Sequence, residues 1–347
     1  MFYPLRLSAL LLATVCTLIA NQSYAKAYKG AELYSNQSYQ YGRYEMRMRV
    51  AKASGTLSTF FTYKNGSEIG STFWEEIDIE VFGKNNATEW QSNIILGTQR
   101  PTLKTESVHT SATSLADAYH TYTLEWTPDY VAWYLDGKEV RRINGTSTVT
   151  SLVSPQSIRF NLWSSTAESW VGPFDESQLP VYQFISYLDY KAYNPATKTF
   201  EGGWRDNFDS FDSSRWSKAN WTFDENRADF VPENVVVKDG VLVLALTREN
   251  ATGFTGNVPA DDNSSSSSSS SKSSSSSSVA THSSVASSSS SISSNAASSS
   301  LISSSVSSTQ ASSTPTSNSS GGSSGGGAFG WLELALLGSL LLIRRRV

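Results

Sequence analysis

Residues 74–83 read WEEIDIEVFG. Ile77, Ile79 and Val81 alternate with Glu76, Asp78 and Glu80, the two-residue period of a strand with one face in a core. The β-branched residues between the acids favour the same assignment. Three carboxyl groups then share one face of a sheet. Like charges so close repel, so the row costs stability unless something uses it. Two carboxyl groups facing a common substrate are the minimum equipment for glycoside hydrolysis. One attacks the anomeric carbon and the other protonates the leaving oxygen, and retaining enzymes hold the pair about 5–5.5 Å apart. On a straight strand the Cα atoms of Glu76 and Glu80 would lie roughly 13 Å apart, so the strand must bend to lean their side chains together. Asp78 between them is expected to raise a neighbour's pKa and keep one glutamic acid protonated near neutral pH. The three are expected to titrate as a coupled set. Glu75 falls on the opposite face and reads as structural. Two other readings fit the pattern alone. One is a calcium site, although a strand offers a flat row of ligands rather than a wrapping loop. The other is a solvated strand face.

The elements that would position such a row are strands. YGRYEMRMRV places Tyr44, Met46, Met48 and Val50 on one face. VAWYLDGKEVRRI predicts a hairpin turning at Asp136-Gly137, and NVVVKDGVLVLALT a second at Asp239-Gly240, the strongest short hairpin signal. No long segment before residue 328 has helical apolar periodicity. Many short strands with Gly and Asn turns predict an all-β fold, a β-sandwich or jelly roll. Trp126 and Trp133, in alternating strands, are expected in its core. The other abundant aromatics divide between core packing and a sugar-binding cleft, where rings meet the apolar faces of sugars.

The ends of the chain differ from its middle. Arg6, the apolar run LSALLLATVCTLIA and the small-x-small SYA at Ser23–Ala25 read as a secretory signal over residues 1–25, cleaved after Ala25. The single cysteine, Cys16, lies inside it, behind Val15 where a lipoprotein signal wants a small residue. The mature chain then has no cysteine, which excludes disulfides, a catalytic thiol and cysteine-bound metal. Residues 26–262 read as one folded domain. Residues 263–327, dominated by serine and ending in GGSSGGG, cannot bury enough apolar surface to fold and read as a linker. Residues 328–347 hold a 16-residue apolar run, AFGWLELALLGSLLLI, then Arg344, Arg345 and Arg346. The run is short of the about 20 residues of a full span, and Glu333 interrupts it. This arrangement resembles bacterial GlyGly-type sorting tails, held by positive-inside arginines and thought to be cleaved by a membrane protease. The expected localisation is secreted or tethered at the cell surface, with membrane contact only through this tail. Net charge is −4 without a basic patch, so nucleic acid is not an expected partner.

EIDIE resembles the active-site strand of family 16 glycoside hydrolases. SGTLSTFFTYKNGSE, WQSNIILG, YHTYTLEWTPDYVAWYLDGKEV and IRFNLWSSTAESWVG are similar to the licheninase branch of that family, in the family's order, across nearly all of residues 30–193. The resemblance implies a concanavalin A-like jelly-roll sandwich with an open cleft on its concave face. One segment stands out of order. DNFDSFDSSRWSKANWTFDENRADFVPENVVVKDGVLVLALT, Asp206 to Thr247, resembles the segment with which licheninases usually begin. The chain thus resembles the circularly permuted bacterial 1,3-1,4-β-glucanases, with NPATKTFEGGW (Asn194 to Trp204) as the joining loop. Sandwich termini often lie close together at the surface, so the permutation is physically reasonable.

By motif position the resemblance implies that Glu76 is the nucleophile, Glu80 the general acid/base and Asp78 the electrostatic partner that tunes and orients them. Phe61, Tyr63 and Asn65 match positions that contact glucose units. Gln91 and Asn93 match a polar pair whose amides can hold sugar hydroxyls. Asn161, Trp163 and Trp170 match one cleft wall, and Trp221, Phe223 and Arg227 the far side. For each aromatic the alternative is core packing. Histidine is not required, and neither is a cofactor. The resemblance implies a structural calcium ion on the convex side, held largely by backbone oxygens at Ser186, Asn207 and Gly240, with Ser186 standing where a close relative has Asn. The expected partner is a polysaccharide, mixed-linkage β-glucan, and the expected state a monomer. Three rivals stay open: a relative cutting laminarin, xyloglucan or a galactan; a non-catalytic sugar-binding module on the same fold; and a tethered scaffold. The uninterrupted EIDIE argues against laminarinases, which usually carry an extra residue in this strand. The intact acid pair argues against the module.

Overall fold

The computed structural model describes residues 25–98 and 103–261. The expected signal segment up to residue 24, the serine-rich linker and the apolar tail lie outside the described residues. Among the described residues no helix is long and apolar enough to cross a membrane; the helices there are single turns such as Ser147–Thr150 and Glu168–Val171.

The alternating segments form two packed layers of strands. The first runs Trp216–Lys218, Tyr28–Tyr39, Gln156–Ser164, Thr56–Tyr63, Phe73–Phe82 and Glu89–Thr98, then Leu103–Lys104 and Ser107–Thr110 at the edge. The second runs Lys138–Asn144, Tyr130–Leu135, His120–Trp126, Gly42–Arg49 and Val181–Asn194. Val241–Arg248 and Thr199–Asp206 share the far edge of Val181–Asn194, and Val235–Lys238 lies outside Val241–Arg248. These pairings are antiparallel. A short parallel pairing sets Tyr28–Gly30 beside Ala228–Phe230.

Inward faces of both layers meet in one core. Ile77, Ile79 and Val81 from the acid-bearing strand are fully buried with Met46, Met48, Leu124, Trp126 and Trp133 from the opposite layer. The two expected hairpins are present. Asp136 and Gly137 have φ of 49° and 76°, and Asp239 and Gly240 have 52° and 73°. Two successive positive φ values are what a two-residue turn between right-twisted strands requires. Asp136 also accepts from Thr121 N and pairs with His120.

Residues 206–247 are built into both layers. Trp216–Lys218 pairs with the strand that begins the domain, and Val241–Arg248 pairs with Val181–Ile185. The segment from Asn194 to Trp204, expected as a joining loop, is itself part of a hairpin: Asn194 pairs with Thr199 and Tyr193 with Phe200, leaving a turn of only a few residues. Tyr193 and Phe200 stack at 5.6 Å, and such cross-strand aromatic pairs are what hold a short ribbon together. The domain closes on the outer face of the second layer. There Arg47 grips Asp261 with two bonds of 2.6 Å, and Phe254 packs on Tyr182 and Phe184.

Candidate active site

The strand Phe73–Phe82 lies inside the first layer, paired on both edges. Glu76, Asp78 and Glu80 stand opposite Tyr63, Phe61 and Thr59 on one neighbour. They stand opposite Ile95, Asn93 and Gln91 on the other. Directly opposed residues project to the same side of a sheet, so all nine share the outer face. The register continues outward. Phe61 opposes Arg159, Thr59 opposes Asn161 and Leu57 opposes Trp163. Tyr34 and Glu32 oppose Arg159 and Asn161 in turn. Five strands thus make one floor with the acids on it.

Each acid has its own environment. Glu76 is half-buried and its Oε2 accepts from Trp74 Nε1 at 2.6 Å. Glu80 is half-buried and its Oε2 accepts from Gln91 Nε2 at 2.8 Å. Asp78 is 3% exposed, and its Oδ2 has no hydrogen-bond partner. Burial first, then the charges of Glu76 and Glu80 and a hydrogen bond to Glu76, push the Asp78 carboxyl well above its ordinary pKa. Burial also drives Glu80 from 4.5 up to about 8; the charges of Glu76 and Glu106 add to it, while the Gln91 amide and Lys104 oppose it. The sequence leads to the expectation that the charge of Asp78 raises one neighbouring glutamic acid. The geometry differs: Asp78 is itself driven toward its neutral form, because it is the deepest of the three. Burial, rather than the charge of Asp78, is the main cause that raises Glu80.

The other expected site residues divide. Phe61 and Tyr63 lie on the floor beside the acids, buried, with rings 6.5 Å apart. Asn65 is exposed, and its Oδ1 accepts from Arg159 and Ser157. Gln91 meets Glu80 directly. Asn93 is taken up by Thr105 N at 2.8 Å, and Asn161 by Thr59 and Glu32. Trp163 forms a wall with Trp170 at 6.0 Å and Phe223 at 5.0 Å. Trp221 packs on Tyr34 at 5.2 Å. Arg227 is not brought to the acids. Its guanidinium donates to the Ser165 carbonyl and Glu168 and lies over Phe174, since the bridge between Ser165 and Asn226 sets it beside the helical turn 168–171.

Sequence reasoning missed three groups. Trp74 shares the two-residue period of the acid row, and that period was the signal available. Arg159 and Glu32 form a buried pair at 2.7 Å, with Arg159 over Tyr63 at 4.6 Å and Tyr34 at 5.4 Å; no local pattern joins residues so far apart. Trp133, expected in the core, reaches through it to donate to the Asp78 carbonyl at 3.0 Å. Glu75 is structural, as read. Its buried carboxylate accepts from Val153 N, Ser154 N and Ser154 Oγ and pairs with Lys64.

The expected calcium position can be tested on the chain's own atoms. Along one edge of Val181–Asn194, Ile185 pairs with Leu242 and Leu188 with Asp206. Gly240 precedes Leu242 and Asn207 follows Asp206, so three backbones converge at Ser186. Asp209 Oδ1 lies 4.0 Å from where a Gly240 Cβ would be. Asn207 Oδ1 is occupied by Arg205. Among the described residues no three His, Cys, Asp or Glu side chains cluster for a metal. The strand edge there brings Asp209 near Gly240 and offers no carboxylate cage among the described residues.

A curled β-sandwich whose open face carries paired carboxyls, one of them raised by burial to about 8, has the equipment of a glycoside hydrolase. The family model "Glycosyl hydrolases family 16" matches residues 13–178. The chain is 48% identical over 262 residues to a β-glucanase of Fibrobacter succinogenes, covering 74% of each chain. It is 35% identical over 157 residues to a β-glucanase of Bacillus subtilis, covering 45% of this chain and 60% of that one. The solved β-glucanase of Bacillus licheniformis aligns at 30% identity and a TM-score of 0.41, over 47% of this chain and 77% of that one. The chain belongs to glycosyl hydrolase family 16.

The Glu80 environment has a measurable consequence. Its folded pKa lies above the unfolded value of 4.5, so the folded state holds a proton the unfolded state releases. Stability therefore falls as pH rises from about 4.5 to about 8 and then levels. Glu80→Gln removes this titration. Its thermal midpoint relative to the parent should rise steadily between pH 5 and 8, and parallel curves would refute the assignment.

Proposed function

We propose that the chain is an endo-β-glucanase that cuts mixed-linkage 1,3-1,4-β-glucan with retention. The observation that carries this is the unequal treatment of Glu76 and Glu80 on one floor. Glu80 is kept protonated by burial up to about pH 8, which suits a general acid. Glu76, oriented by Trp74 Nε1, suits the nucleophile. Glu76 attacks the anomeric carbon while Glu80 gives its proton to the departing glycosidic oxygen. Glu80, now a carboxylate, takes a proton from water, and the hydroxide equivalent displaces Glu76 from the glycosyl-enzyme. Asp78 shares its proton with Glu76 and limits its basicity. The mixed-linkage preference is supported by the family motifs in their order and by the uninterrupted EIDIE.

Circular permutation is supported by the pairing of residues 206–247 with strands from the front of the domain and by the 262-residue span shared with the Fibrobacter relative. Export through residues 1–25, a tether through residues 263–347 and a monomeric domain complete the reading. Mass measurement of the exported protein should find a chain starting at Lys26, and an intact LLIRRRV end would refute processing of the tail. A calcium ion at the 186, 207 and 240 backbones would stabilise the sandwich without entering the chemistry. Chelation should then lower the thermal midpoint reversibly, and an unchanged midpoint refutes it.

The central test is hydrolysis of barley β-glucan, lichenan, laminarin and carboxymethyl-cellulose. Cleavage of the first two, with β-configured product seen first by NMR, is the expected result. Glu76→Gln should lose on the order of 10⁴-fold in kcat. Activity on laminarin instead would keep the mechanism and change the substrate. Binding without cleavage would favour the sugar-binding module.

A further inference from the structure

Lys26, the first residue after the cleavage point read at Ala25, is fastened at both of its nitrogens. Its Nζ donates to Thr222 Oγ1 and to the Phe223 carbonyl, each at 2.8 Å, and also to the Asn226 carbonyl. An ammonium has three donors, and these acceptors use all of them. Its backbone nitrogen donates to Asp229 Oδ2 at 2.8 Å. Lys29 Nζ completes the knot, donating to the Lys26 carbonyl at 2.7 Å and to the same Asp229 oxygen at 3.1 Å.

Every acceptor from Thr222 to Asp229 belongs to one excursion of the chain, closed at its base by Phe230 N donating to the Trp221 carbonyl at 2.9 Å. That excursion presents the far wall of the cleft. Phe223 packs edge-on against Trp163 at 5.0 Å and Trp221 lies against Tyr34 at 5.2 Å. Residues 220–225 of the excursion form no strand, and Asp224 and Glu225 are exposed. Its other anchors are Thr166 N on the Glu225 carbonyl, Arg227 N on the Ser164 carbonyl and the Arg227 guanidinium on Glu168, all beyond Lys26's acceptors Thr222 and Phe223 in sequence. Lys26 holds the carbonyl of the very residue whose ring forms the wall.

The backbone nitrogen of Lys26 adds a second point. Hydrolysis of the Ala25–Lys26 bond adds the hydroxyl of water to Ala25 and its proton to Lys26, whose nitrogen becomes an α-ammonium. The existing 2.8 Å contact with Asp229 would then be an ion pair, and hydrogen bonds between ionised partners are roughly twice as strong as neutral ones. Lys29, the other cation on Asp229, is balanced by Glu249 at 3.6 Å.

We propose that Lys26 is a positioning residue of the substrate cleft, and that cleavage after Ala25 completes its clamp by creating an ammonium on Asp229. The inference rests on the glucanase reading and on that cleavage site. It makes export processing a step in assembling the cleft wall.

The exported chain should be compared with Lys26→Met, with Lys26→Arg and with a chain retaining Ala25, measuring kcat, KM and thermal midpoint on mixed-linkage glucan. Lys26→Met should raise KM about 3- to 10-fold, the equivalent of about 1 kcal/mol, with kcat within about twofold because the acid strand is untouched. Lys26→Arg should recover part of the loss, and retention of Ala25 should raise KM by less than Lys26→Met. An unchanged KM in Lys26→Met, whatever happens to the thermal midpoint, overturns the positioning role and leaves Lys26 a packing residue. A KM for the Ala25-retaining chain equal to that of the exported chain overturns the processing step alone. Inactivity of the parent chain on every glucan would instead sink the glucanase reading, and an exported mass that does not begin at Lys26 would sink the cleavage site.

Discussion

Three carboxyl groups on one face of one strand repel each other, and the sandwich is arranged around holding them there. The inward side of the same strand supplies the opposing free energy. Burying Ile77, Ile79 and Val81 is worth on the order of 5–9 kcal/mol, more than the few kcal/mol implied by lifting Glu80 from 4.5 to about 8. The repulsion is also relieved chemically. Asp78 and Glu80 are driven toward their neutral forms, so the row does not carry three charges. Trp74 and Gln91 then fix the outer two by single hydrogen bonds. From beneath, Trp133 fastens the backbone at Asp78 across the core. Burial of the row is what raises Glu80 toward a proton donor, beside a Glu76 oriented by Trp74.

Holding the row also requires that the strand not slide, since a one-residue slip would put the acids in the core. Pairing on both edges prevents this, and the start of the strand is nailed separately. Glu75 is buried with three hydrogen bonds to Val153 and Ser154 and a partner in Lys64. An uncompensated buried carboxylate would be very costly; a satisfied one locks the residue beside it. The buried Arg159–Glu32 pair acts similarly on the floor, joining two strands with Asn65 at its rim. Such pairs contribute little net stability, but their geometry admits few alternatives.

The acid row, its strand and both hairpin turns were legible because they are local: a period of two, or an Asp-Gly between alternating runs. The family motifs extended this to the order of segments. What stayed hidden depends on distance. The descent of Asp78 to the deepest position follows from the curl of a whole layer, which a ten-residue pattern does not encode. Arg227 sits in a motif that matches cleft residues, yet its charge is spent on Glu168. Its neighbour Asn226 bridges Ser165, a contact that only the folded chain makes. The expected joining loop became a hairpin because Tyr193 and Phe200 can pair across it, a signal present in the letters but outweighed by its glycines and proline.

Chain order and spatial order separate in this protein, and the separation explains where its first folded residues sit. The segment 206–247 supplies strands to both layers from the end of the domain, and it returns beside Tyr28–Gly30 through a short parallel pairing. In an arrangement where residues 206–247 came first, Lys26 would be an internal residue of no special character. Here the domain begins against the turn that shapes one cleft wall. A chain end has an ionisable nitrogen that no internal residue has, and Asp229 already stands 2.8 Å from it. With the proposed cleavage after Ala25, that place would carry an ammonium where the uncleaved chain has only an amide.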